Sequence, residues 1–388
     1  WETTATNGRI LVKARSHRMR LLPLWDILTF ERKVSLGEKK QMNPDMLSFR
    51  GKVLTARGPV EPSVLGRVMM HEHLYSDCYD WDRDELVNEE KPISPERRSL
   101  LMTEAIPRLK ECNDHECFAF LEATPVPWRA WPTFYVEASE AANMHIILST
   151  GYYREMEDGA YWVKKPEDKI WPFVTNSTVE ELTEFCTREI AEGIHGTEVR
   201  AGVVKLGTSQ PEMTETEKKA FRAGARAQQA TGVHITTHCT RIGAETSQLQ
   251  ILDEEGVDLS RVVIGHTAGH LMDEDCRKVC IEWMRRGANF LPTNLGITDK
   301  DPKGSRWQPL VEAIHEIFDI GLGDRITFGL DWAYCSEHGE FSACTFMPPP
   351  PYLHMFSHTL PAFRKMGLTV EEEEAIMRTN PQRVLPVL

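Results

Sequence analysis

Two histidines, His71 and His73, stand one residue apart at the end of the apolar run Val68-Met-Met-His-Glu-His-Leu74. In a strand the side chains alternate between faces, so both imidazoles point one way and Glu72 points the other. Two imidazoles on one face of a strand end can grip a metal ion, although an isolated H-x-H pair is more often structural. Lys205 sits inside a second apolar run, Ala201-Gly-Val-Val-Lys-Leu-Gly207. A buried lysine must be neutralised, paired or modified unless it snorkels to the surface. A strand covered on both faces closes that exit. Reaction of the amine with CO2 would give a carbamate, an anion able to bridge two metals. Three more apolar runs end in His238, His266 and Asp331. Imidazole and carboxylate are ordinary ligands of zinc-like cations, so six such residues at strand ends point to a metal site if one fold gathers them.

The elements that must gather them are regular. Short apolar runs at 67–74, 117–124, 145–150, 201–207, 233–239, 261–266, 289–294 and 326–331 alternate with amphipathic stretches near 96–112, 134–143, 178–193, 214–231, 243–256, 272–287 and 306–322. Thr178 with Glu181, and Thr214 with Glu217, are capping boxes; Gly193 and Gly232 stand at the far ends of those stretches. A last helix is expected from Thr369 to Thr379, before Asn380-Pro381, with the acidic run Glu371–Glu374 at its favourable N-terminal end. Lys52–Val60 reads as a short hairpin with a Gly-Pro turn. Eight strands alternating with helices predict a (β/α)8 TIM barrel. A doubly wound open sheet would more often carry a Gly-rich turn after its first strand, and HEHLYSDCYDW has no glycine. In a barrel all strand C-termini share one face, so His71, His73, Lys205, His238, His266 and Asp331 can converge.

Residues 1–48 form a separate N-terminal extension, disordered or packed on the barrel domain of residues 49–388. The extension holds nine Lys or Arg against five Asp or Glu. The whole chain has 388 residues and a net charge of −13, which argues against a nucleic-acid partner because phosphate contacts need clustered cations. No apolar run reaches membrane length, and no clear secretory signal is present. Nine cysteines with scattered spacing and no C-x-x-C pair read as reduced thiols, which fits a cytoplasmic protein. Cys276 and Cys280, at i and i+4, read as small buried hydrophobes rather than a ligand pair.

With these residues in place, the chain resembles the phosphotriesterase-related family of the amidohydrolase superfamily, phosphotriesterase-like lactonases included. The resemblance covers about Gly51 to Leu385 and rests on Gly66-x4-His71-Glu-His73, Gly202-Val-Val-Lys205, His238, Ile264-Gly-His266, Leu330-Asp-Trp332 and Asn380-Pro381. It implies two divalent metal ions per chain, in most relatives Zn2+. His71, His73 and Asp331 would hold the buried ion and His238 and His266 the exposed one. Carboxylated Lys205 and a hydroxide would bridge them. The bridging hydroxide would then attack a lactone or small carboxylic ester, with Asp331 as general base and with promiscuous phosphotriesterase activity. Two alternatives stand beside it: an amidohydrolase cleaving the C–N bond of a small N-acylated compound, and a non-catalytic barrel used for binding or assembly. The amide-cleaving branch carries Glu where this chain has Lys205, and complete retention of the ligands argues against a dead barrel. Relatives are often homodimers, and the expected partner is a small-molecule substrate with no membrane.

Substrate contacts are expected from Tyr153, from Asn294 where lactonase-like relatives have Arg, and from Trp332, which otherwise packs between barrel and helix. An Asp that follows the sixth-strand histidine by three in phosphotriesterases is Gly269 here. His270 either takes over that relay or is a solvent-facing loop residue. His354 and His358 lie beside the long loop from Tyr334 through His338 and Phe346 to Tyr352, and either could touch substrate. Trp162, Trp171 and Trp307 receive no role.

Overall fold

A computed structural model describes residues 3–6, 9–12, 42–77, 93–155, 170–337, 340–344 and 347–388. Cys78, Trp162, His338 and Phe346 lie outside them. The chain divides into two compact units, Trp1–Lys40 and Gln41–Leu388. In the first, Thr3–Thr6 pairs antiparallel with Arg9–Val12. The second begins before residue 49, because the turn Pro44–Phe49 packs within it. Met46 is fully buried there, and the Asn43 amide donates to the Ala230 carbonyl at 2.8 Å.

Among the described residues, seven regular strands run in chain order around the barrel: β1 (Arg67–Ser76), β2 (Cys117–Glu122), β3 (His145–Gly151), β4 (Ala201–Gly207), β5 (His234–His238), β6 (Val262–Gly265) and β7 (Asn289–Leu291). Each pairs in parallel with the next. Residues 326–331 fill the eighth position without forming a regular strand. Thr327 N donates to Phe290 O at 3.1 Å on one side, and Met70 N donates to Phe328 O at 2.9 Å on the other. Asp331 breaks the pleat: its φ is 66°, in the left-handed region that strand residues avoid. The stretch closes the barrel all the same, since it bonds both neighbours.

The register between β1 and β2 slips between Met69 and Glu72. Such a bulge re-aims side chains. Val68 and Met70 pack in the inner apolar cluster with Ala119, Leu121 and Val203. Beyond the slip His71 turns to Lys205, and Glu72 faces the outer layer. Simple alternation along β1 would have sent Met70 and His71 to opposite faces. The inner cluster also takes Val53 from the hairpin Val53–Thr55/Gly58–Val60, whose turn is Ala56-Arg57 rather than Gly-Pro.

The helices that cover the barrel include α1 (Val179–Ala191), α2 (Glu215–Thr231), α3 (Ala244–Glu254), α4 (Glu274–Arg285) and α5 (Gln308–Asp319). Both expected capping boxes form at α1 and α2. The last helix does not stop at Thr379. A wide turn over Ala375–Thr379 carries it through Pro381, which has no amide hydrogen to offer, to Val384. The long loop after the eighth position is partly a hairpin, β8 (Ala333–Glu337) with β9 (Glu340–Ala343), and β8 extends the sheet beside β1.

Candidate metal centre

The C-terminal ends of β1, β4, β5 and β6 and of the eighth position bring His71, His73, Lys205, His238, His266 and Asp331 together. Asp331 is the hub. Its Oδ1 lies 3.1 Å from His73 Nε2 and 3.5 Å from His71 Nε2, and its Oδ2 lies 3.6 Å from His266 Nδ1. His71, His73 and Asp331 fit a metal site, with one donor atom of each within 4.8 Å of the others. Lys205 Nζ is 3.3 Å from His71 Nε2. The His238 and His266 rings meet with centroids 4.4 Å apart, and His266 meets His71 at 4.6 Å.

The backbone is shaped to allow this. Asp331 and His266 both take positive φ, 66° and 61°, an uncommon conformation held only where the surroundings fix it. Gly329 and Gly265 leave the space. A Cβ on Gly329 would lie 2.8 Å from His71 Cβ, and one on Gly265 would lie 2.3 Å from Thr237 O.

Among the described residues, three buried imidazole nitrogens of the cluster have no hydrogen-bond partner: His238 Nε2, His266 Nε2 and His71 Nδ1, the last on the far side of its ring from the Nε2 that meets Lys205 and Asp331. Buried polar atoms are rarely left so, and unpaired imidazole nitrogens suit a cation. The opposite nitrogen of two of these rings is anchored: His238 Nδ1 by the Tyr153 hydroxyl at 3.3 Å and His266 Nδ1 by the Thr293 hydroxyl at 2.7 Å. His73 Nδ1 meets the Thr124 hydroxyl at 2.8 Å, and Thr124 in turn bonds Glu122. Such anchors set ring orientation and tautomer at metal sites. The donor set therefore fits the metal pair that the family pattern implies.

The electrostatics agree. Burial, reinforced by Lys205 and the neighbouring rings, holds His71 well below the ordinary imidazole range. Burial and His266 do the same to His238, and burial brings His266 down to about 4. All three are neutral, the form that binds cations. Burial lowers the Lys205 amine to about 7, with Asp331 opposing. The amine is 1% exposed, so it does not snorkel. Burial pushes the Asp331 carboxyl up, but His266, His73 and Lys205 outweigh it and keep it below the usual range.

Glu72 faces away from this cluster. It accepts from Leu330 N at 2.7 Å and Trp332 N at 2.9 Å, and so clamps the backbone on both sides of Asp331. Glu122 acts likewise on β1 and β2, taking Leu74 N at 2.5 Å and Thr124 N at 3.1 Å.

A family model, the phosphotriesterase family, matches residues 51–385. The chain belongs to the phosphotriesterase family. The match spans the whole barrel and every residue of the cluster, and membership makes the chain a hydrolase of that family. A phosphotriesterase homology protein of Mycobacterium tuberculosis is 27% identical over 333 residues, covering 85% of this chain and 96% of its own. An N-acetyltaurine hydrolase of Tetraodon nigroviridis is 30% identical over 369 residues, covering 88% and 99%. In fold the chain matches an organophosphorus hydrolase from Deinococcus radiodurans with a TM-score of 0.69 at 24% identity, over 87% of this chain and 97% of that one.

Of the expected substrate residues, two lie at the mouth of this phosphotriesterase-family barrel. Tyr153 faces His238 with its ring edge-on to Trp128. Asn294 Nδ2 donates to Asp331 Oδ2 at 3.2 Å. Trp332 does not join them: its ring is buried beside Tyr334 and Tyr352, each with centroids 6.2 Å away. It shares the outward face with Glu72, because Asp331 takes the inward one. His270 is neither relay nor solvent-facing. It is 1% exposed, and its Nε2 faces Arg241 O at 3.2 Å rather than Asp331. His354 is pinned between Ile297 N and Pro349 O, both at 3.0 Å, with the exposed His358 ring stacked on it. Thr124, Thr293 and Glu122 were not singled out by sequence. The only signal for them was a hydroxyl or carboxylate at a strand end, which is too common to stand out.

Proposed function

We propose that this chain is a two-metal hydrolase that opens a lactone or small carboxylic ester. The observation that carries the reading is the convergence of six ligand-type residues, with unpartnered and neutral imidazole nitrogens on His238 and His266. His71, His73 and Asp331 would hold the deeper ion, and His238 and His266 the outer one. Lys205 would help hold both as a carbamate, since a buried amine lowered to about 7 supplies the neutral form that adds CO2 and then loses a proton. When bound, the ions supply Lewis acidity and a water of lowered pKa.

The protein's own groups do the rest. Asp331, ionised at neutral pH, receives the proton of the attacking water. The Asn294 amide holds its second oxygen, which keeps the carboxylate aimed at the cluster. The Tyr153 hydroxyl stands against His238, where it can donate to the carbonyl oxygen of a substrate entering beside that ring. The clamp by Glu72 keeps Asp331 in its left-handed conformation.

A second reading, cleavage of an N-acylated amine, draws on the N-acetyltaurine hydrolases among the relatives. Lys205, where the resemblance gives amide-cleaving members Glu, favours the ester. A panel of lactones, aryl esters, N-acyl amino compounds including N-acetyltaurine, and an aryl phosphotriester separates the readings. The lactone or ester kcat/KM should exceed the best amide by about 100-fold, a margin of about 2.7 kcal/mol in the transition state. An amide at the top of the panel would instead establish the second reading. Metal-loaded protein that turns over nothing would leave the binding barrel.

A further inference from the structure

Behind the barrel mouth lies a second group of ligand-type side chains. Cys239 directly follows His238. His270 sits four residues after His266, in the short helix Ala268–Met272. Glu245 is in the first turn of α3. All three are at most 2% exposed, and one ligand atom of each lies within 4.8 Å of the others.

The spacing within the group is that of a metal tripod. Cys239 Sγ is 3.7 Å from His270 Nε2, and Glu245 Oε2 is 3.4 Å from the same nitrogen. A tetrahedral zinc with ordinary bond lengths gives sulfur–nitrogen and nitrogen–oxygen edges of about 3.6 Å and about 3.4 Å. The Arg241 carbonyl oxygen lies 3.2 Å from His270 Nε2. A single ring N–H cannot serve a thiol sulfur, a carboxylate oxygen and a carbonyl oxygen together. Glu245 takes hydrogen bonds from Gly243 N at 2.7 Å and the Thr246 hydroxyl at 3.2 Å. Among the described residues, His270 is its one ion-pair partner. A buried carboxylate beside a thiol, with one imidazole as its ion-pair partner, is short of positive charge.

We propose that Cys239, Glu245 and His270 form a third, structural site for a thiophilic divalent cation of the zinc type, distinct from the pair at the barrel mouth. The ion ties the loop after β5 to the loop after β6, at the roots of His238 and His266. Binding forms a metal–sulfur bond and releases the thiol proton to solvent, with no change of oxidation state. Cys276 and Cys280 of α4, with sulfurs 4.0 Å apart, stand near the group and give it further soft surroundings.

Cobalt substitution of the full chain tests the site. None of the six residues at the mouth is a thiol, so a thiolate-to-cobalt charge-transfer band in the near ultraviolet reports this cluster and not the other. The cobalt-loaded protein should show the band and bind one equivalent beyond those of the mouth. Cys239→Ser and His270→Gln should each lose the band and that equivalent while retaining the others. A saturated cobalt protein without the band overturns the proposal, and so does a band that survives both substitutions. If the variants do not fold, zinc-edge anomalous scattering from wild-type crystals decides: a peak between Cys239, Glu245 and His270 supports the site, and none there overturns it. This result is independent of substrate turnover, so the ester reading can fail without it.

Discussion

The two ligand clusters share roots yet are built differently. At the mouth, His238 and His266 point inward from β5 and β6, and the contacts Lys205–His71 and His73–Asp331 join residues 134 and 258 apart in the chain. Behind it, Cys239, Glu245 and His270 come from loops and helix starts within 31 residues. The hydroxyls of Tyr153 and Thr293 hold Nδ1 of His238 and His266 and leave the Nε2 of each ring free to bind, while the Thr124 hydroxyl holds Nδ1 of His73. The His270 nitrogen is already turned to a carbonyl, a thiol and a carboxylate. The mouth is open to chemistry because its strand ends leave the His73 and Asp331 side chains partly exposed. The loop cluster is closed, and a closed site suits structure rather than turnover.

That contrast can be broken at its strongest point first. Lys205→Ala should cut kcat/KM by about a thousandfold or more, the scale of losing a central electrostatic element. Metal content at the mouth should fall with it, and added short carboxylic acids should restore part of the activity. Full activity in that variant would remove Lys205 from the centre. Glu72→Gln comes next. One of the amides of Leu330 and Trp332 would then face an NH2 instead of an acceptor, which costs about 1–3 kcal/mol. Activity should drop about 10- to 100-fold through misplacement of Asp331. Unchanged kinetics in a destabilised protein would confine Glu72 to the fold.

Smaller effects sharpen the comparison. Tyr153→Phe removes one hydroxyl at His238, so kcat/KM should fall about 2- to 10-fold, the worth of a single neutral hydrogen bond. Cys239→Ser should change kcat/KM by less than about threefold while lowering the melting temperature by about 2–4 °C, the size of a loss near 1 kcal/mol. A large kinetic loss with no change in melting would make the loop cluster part of the chemistry. Metal retention across pH gives the gentlest test. The lowered imidazoles keep protons off the mouth ligands below their ordinary range, and His266 stays neutral until the pH approaches about 4. Dialysis from pH 7 downward should therefore leave the mouth loaded at pH 6. Release centred on the ordinary imidazole pKa of about 6.5 would contradict this.

Most of the mouth was legible in the sequence because strands impose local rules. Period-2 alternation set His71 and His73 against Glu72, and the parallel barrel placed five strand ends on one face. The same rule misled where the backbone departs from a pleat. Nothing in Met69-Met70-His71 announces the register slip that turns both Met70 and His71 inward. Nor does Leu330-Asp331-Trp332 announce the left-handed residue that leaves Trp332 against Tyr334 and Tyr352.

The sequence by itself pointed to the barrel, the six ligand-type residues and the outward turn of Glu72, since these follow from residue type, from period-2 spacing within a strand and from the alternation of strand-like and helical runs. Only the tertiary structure decided which hydroxyls hold the rings, that Glu72 clamps Leu330 and Trp332, and that His270 meets Cys239 and Glu245. Those contacts join separate loops, whose paths depend on how the whole barrel closes rather than on any repeat within the chain.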